Sequence, residues 1–89
     1  MNRTSSYLIR ALEAHYEAQI HKHEALLFNY IENSAGIGEH PDIVEECIKS
    51  IDAITHNSDG LETVLHIKNK INATTNTLEE VDEQHPIIY

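Results

Sequence analysis

Eighty-nine residues make one domain at most, and the lone cysteine, Cys47, excludes an intrachain disulfide and any cysteine-based zinc site. The formal charge of −9 excludes the clustered Lys and Arg that phosphate neutralisation needs, so direct nucleic-acid binding and anionic membrane surfaces are not expected. The charge is uneven: residues 1–34 carry −1, residues 35–73 carry −4 and residues 74–89 carry −4.

The first element is read as a helix over about residues 4–33. Ile9, Leu12, Tyr16, Ile20, His23, Leu27 and Tyr30–Ile31 recur in steps of three or four, the period of one helix face. Thr4, Ser5 and Ser6 are its candidate N-caps, and no Gly or Pro interrupts it before Gly36. The turn, 34–40, holds Gly36 and Gly38, either of which can take the positive φ of a helix stop, and Pro41 suits the first position of a new helix.

The second helix is expected over about 41–73, with Asp42, Glu45 and Glu46 near the positive end of its dipole. Its stripe is Val44, Cys47, Ile51, Ile54, Ser58, Leu61, Leu65 and Lys68, a heptad-like alternation. Asn57-Ser58-Asp59-Gly60 resembles a break, and Asp59 with Glu62 fits a capping box. The stripe keeps its phase across these residues, so a continuous or slightly kinked helix is the better expectation. Residues 74–89 read as an acidic, flexible tail that ends in the apolar Ile87, Ile88 and Tyr89, which could anchor it to a neighbour.

A short turn makes the two helices antiparallel, so the fold class is all-α, a long coiled-coil-like helical hairpin. Pairing residues whose numbers sum to about 75 sets Ile31 against Val44, His23 against Ile51 and Tyr16 against Ser58. Tyr7, Leu8, Leu26, Phe28, Val64 and Ile67 then flank the seam unused. Leu8, Leu26, Phe28, Ile48, Val64 and Ile67 form the candidate partner interface, and a homodimer that closes a four-helix bundle is the expected way to cover them.

The chemistry-bearing residues point to no reaction. Seven histidines invite a metal, yet no histidine has Glu three residues before it, and the Glu17/His21 and Glu62/His66 pairs read as solvated ion pairs. Cys47 falls on the apolar stripe, where a free cysteine behaves as a small hydrophobe. His23 in the seam would resist protonation when buried. Gly36-Ile37-Gly38 is too short for a phosphate-binding loop. No catalytic residue, metal ligand or cofactor site is therefore assigned, and the chain is not read as an enzyme. No run approaches the roughly 20 apolar residues of a membrane span. With no apolar leader after Met1, the expected location is the cytoplasm.

Residues 35–46, Ala-Gly-Ile-Gly-Glu-His-Pro-Asp-Ile-Val-Glu-Glu, preceded by His15-Tyr16-Glu17-Ala18-Gln19-Ile20, resemble a group of small uncharacterised helical-hairpin proteins of large tailed, myovirus-type phages. The resemblance spans roughly residues 12–66 and departs at Asn57–Gly60, where better helix formers are expected. It implies a viral origin, a host-cell cytoplasmic location and a helical hairpin, and it carries over no activity. Two functions follow as expectations. The first is a protein–protein interaction module, an accessory or adaptor protein whose partners are a second copy or a host or phage protein. The alternative is an acidic DNA-mimic inhibitor of a host DNA-binding protein.

Overall fold

A computed structural model describes the backbone of residues 1–33 and 42–84 and the side chains of residues 1–33 and 42–74. Two helices account for nearly all of it: α1, Arg3–Glu32, and α2, Ile43–Gln84. The turn residues Gly36, Gly38 and Pro41 and the proposed anchor Ile87, Ile88 and Tyr89 lie outside the described residues. No strand occurs among the described residues, and the fold is the all-α hairpin that the apolar spacing implies.

The helix ends fall near the expected positions, with different caps. Asn2, not Thr4–Ser6, begins α1: its backbone is extended, and its Oδ1 accepts the Ser5 N–H at 2.7 Å. At the other end the Asn33 N–H donates to Asn29 O at 2.9 Å, and its Nδ2 donates to Asn29 Oδ1 at 3.0 Å. Asp42 begins α2, its carboxylate accepting the Glu45 N–H at 2.9 Å. This places the helix start at Ile43 instead of Pro41, because an aspartate cap satisfies an orphan donor that proline cannot reach.

Helix α2 is continuous through Asn57–Gly60. The polar side chains that suggested a break are satisfied inside the helix. Asn57 Nδ2 donates to Ala53 O at 2.7 Å, and Thr63 Oγ1 donates to Asp59 O at 3.0 Å. The helix also passes the expected end at residue 73 and runs to Gln84, which replaces a flexible tail over 74–84 with helix. Thr74, Thr75, Asn76 and Thr77 are weak helix formers, but weak propensity costs only tenths of a kcal/mol per residue, and no Gly or Pro stands between Gly60 and Pro86.

The two helices meet along a seam displaced from the expected one. On α2, Ser50, Asn57 and Val64 are buried, at 4%, 8% and 7% exposure, with Cys47, Ile54, Leu61 and Lys68 half-buried between them. Val44, Ile51, Ser58 and Leu65, each one residue further along, are exposed. On α1 the inner residues include Ile9, at 6% exposure, and the half-buried Glu13, Tyr16, Ile20, His23 and Leu27. Glu13 replaces the expected Leu12, and Ile31 is exposed. The two inner sets still alternate by three and four. The register is displaced as well: the contacting pairs Tyr16/Gly60 and Glu13/Lys68 have residue numbers that sum to 76 and 81, above the expected 75. Two observations fix that register. Lys68 Nζ reaches Glu13 Oε2 at 3.3 Å, the one ion pair that joins the helices among the described residues, and the ring of Tyr16 lies on Gly60.

This seam is lean. Among the described residues Ile9 and Val64 are the buried hydrophobic ones, Ser50 and Asn57 the buried polar ones. The hairpin measures 69 × 21 × 15 Å with a radius of gyration of 20.5 Å, against about 12 Å for a compact chain of this length. In this register α1 begins opposite about residue 74, so the last turns of α2 run past it.

At Gly60 the second helix packs directly against the Tyr16 ring of the first. A Cβ added there would come within 3.0 Å of three carbons of the Tyr16 ring. Ala in place of Gly inside an exposed helix normally gains about 1 kcal/mol. Here Gly60→Ala should instead lower stability by about 1–2 kcal/mol through overpacking, measured by urea unfolding followed by circular dichroism. In a Tyr16→Ala background the same change should stabilise. A gain from Gly60→Ala with Tyr16 in place would contradict the register.

Candidate partner interface

The groups that could carry chemistry are dispersed. No three His, Cys, Asp or Glu side chains stand close enough to hold a metal ion among the described residues. His21 pairs with Glu24 at 3.3 Å, one turn on, rather than with Glu17. His15 packs edge-on against the Tyr16 ring, with centroids 5.0 Å apart. Cys47 and His23 are half-buried in the seam. The clearest surface depression is lined by Asp59, Glu62, Thr63, Leu65, His66 and Asn69, all from one stretch of α2. A depression with walls from a single helix encloses no ligand. No helix among the described residues is long and apolar enough to cross a membrane.

What the surface does offer is apolar area. Among the described residues eleven large hydrophobic side chains are exposed, against two buried. Of the residues expected at a partner interface, Leu8, Leu26, Phe28, Ile48 and Ile67 are exposed as required. Val64 is not: it is a core residue of the seam, because the inner face of α2 turns one residue earlier than its apolar pattern suggests. Leu12, Ile31, Val44, Ile51 and Leu65 were expected inside and belong to the surface instead.

Heptad position divides this surface into two flanks. In an antiparallel pair, the residues just after the inner positions of both helices line one side of the seam, and those just before line the other. One flank, called here the major flank, takes Tyr7, Phe28 and Ile31 from α1 and Val44, Ile48, Ile51 and Leu65 from α2. The minor flank takes Leu8, Leu12 and Leu26 from α1 and Ile67 from α2.

Charge is unevenly placed around the seam. Arg3, Arg10, Glu17 and Glu24 of α1 and Glu62 of α2 lie on the major flank, Glu32, Glu45, Asp52 and Asp59 follow the outer ridges, and Lys22, Lys49 and Lys70 lie toward the minor flank. Lys49 is held there by Glu46 at 3.4 Å. The major flank is richest near the turn, where Phe28, Ile31, Val44, Ile48 and Ile51 come from adjacent turns of the two helices. Five side chains about half-exposed, at about 200 Å² each, present on the order of 500 Å², the upper range for the largest patch of a monomer.

No family model matches this chain, and no curated protein or solved structure matches it either. The reading of the site therefore rests on its geometry.

The two classes of apolar residue should respond oppositely to truncation. Val64→Ala should lower the stability of the chain by about 1–3 kcal/mol through lost burial and a cavity. Phe28→Ser and Ile48→Ser should leave the unfolding midpoint within about 0.5 kcal/mol at high dilution and should reduce binding of a hydrophobic dye such as anilinonaphthalene sulfonate. Equal losses at all three positions would place Phe28 and Ile48 in the fold's own core.

Proposed function

We propose that this chain is a helical protein–protein interaction module with no enzymatic chemistry of its own. One observation carries the reading: among the described residues eleven large apolar side chains are exposed while only two are buried. Covering a half-exposed aliphatic or aromatic side chain contributes on the order of 1 kcal/mol, so the patch near the turn alone supports a specific contact. The occupant is a protein surface, because the patch is apolar at its centre and acidic at its edge, which disfavours nucleic acid and anionic lipid. The accessory or adaptor role in an infected cell is part of this proposal and takes only its viral setting from the resemblance to phage hairpins.

The DNA-imitating alternative is not retained. Imitation requires carboxylates at the density of a duplex, one charge per about 1.7 Å of axis. The outer ridge of α2 offers Glu45, Asp52 and Asp59 seven residues apart, about 10 Å per step.

The reading is tested by placing a photo-reactive benzoylphenylalanine at Phe28, Ile48 or Thr63 of the full chain in cells that naturally produce it. Irradiation should give cross-linked adducts from positions 28 and 48 and none from position 63. Absence of any adduct at 28 and 48 would remove the basis for an interaction module.

A further inference from the structure

The major flank carries opposite charges at its two ends. Toward the open end stand Arg3 and Arg10, with the Arg10 guanidinium 5.8 Å from the centre of the Tyr7 ring. Neither arginine forms an ion pair among the described residues. Toward the turn stands Glu24, with Glu32, Glu45 and Asp52 on the adjoining outer ridges and no Lys or Arg on that end of the flank. Apolar groups accompany both ends, Tyr7 and Leu65 at one and the Phe28–Ile48 patch at the other. Such a face complements itself when turned end for end.

Building on the reading of the chain as an interaction module, we infer that the major flank binds a second copy of this chain, antiparallel, about a two-fold axis that crosses α1 near Glu17. Arg10 and Glu24 each lie seven residues from Glu17, on opposite sides of it, about 10 Å along the helix. With α1 lying on α1 of the second copy, Arg10 of each chain meets Glu24 of the other, and Tyr7 meets Phe28. Arg3 falls near Ile31 and Glu32. An isologous contact forms each of these pairs twice and closes on itself, giving a four-helix bundle rather than a filament. A parallel dimer would set Arg10 against Arg10 and stack the two acidic ends, which charge opposes.

Area agrees with charge. Seven side chains about half-exposed on this flank, at about 200 Å² each, offer on the order of 700 Å² per copy. Two copies would bury about 1,400 Å², within the range of a standard specific interface. One feature opposes association: Glu17 meets its own copy at the axis.

Sedimentation velocity of the full chain at about 50 μM and low salt, with circular dichroism on each variant, tests the arrangement. The wild type should sediment as a dimer. Arg10→Glu should raise the dissociation constant by about ten-fold or more, and Arg10→Glu combined with Glu24→Arg should return it to within about three-fold of the wild type. Glu17→Gln should tighten the dimer. A folded wild-type monomer at that concentration, or a charge exchange that recovers nothing, overturns the inference. A folded monomer that still cross-links in cells through positions 28 and 48 would overturn the second copy as occupant while leaving the interaction module standing.

Discussion

The close approach of Tyr16 to Gly60 sets how the two helices lie against each other. The Tyr16 ring occupies the space that a side chain at Gly60 would fill. Once Gly60 faces inward, helical periodicity turns Ser50, Asn57 and Val64 inward as well. The cost is borne by the apolar side chains one residue on. Val44, Ile51 and Leu65 rotate out to solvent because the same register cannot bury both sets.

The result is a seam with enough specificity to define a register and little apolar burial to stabilise it. Asn57 satisfies its amide within its own helix, and Lys68 reaches across to Glu13. Among the described residues no buried side-chain polar atom is left without a partner. Polar groups in a helical seam trade stability for register, and this hairpin follows that pattern over most of its length. The apolar surface excluded from the seam, concentrated on one flank, then becomes the property that distinguishes the molecule.

Much of this was legible in the residues. The three–four spacing from Ile9 to Tyr30 and from Val44 to Lys68 identified two helices, and the stretch from Gly36 to Pro41 separated them. The continuity of α2 across Asn57–Gly60 was legible too, since the periodicity does not slip there. Five of the six residues expected at a partner surface are exposed. Val64 was misplaced for a specific reason. Two stripes one residue apart, 44/51/58/65 and 43/50/57/64, both alternate correctly with Cys47, Ile54 and Leu61, and hydrophobicity favours the first. Ser50 and Asn57 hide the true inner face because a buried polar residue looks like a solvent-facing one until its partner is known. The helical stretch from Thr74 to Gln84 was missed because the run of threonines reads as a terminus, although no residue in it prevents a helix.

The sequence by itself determined the elements, their antiparallel order and a surplus of apolar side chains along both helices. These follow from periodicity, turn residues and composition, all of which act locally. Only the tertiary structure decided which face of α2 turns inward, and hence which apolar residues remain outside and which charges surround them. That choice depends on the fit of one ring against one glycine across the seam, and a contact between residues more than forty positions apart is not encoded in the spacing of either helix.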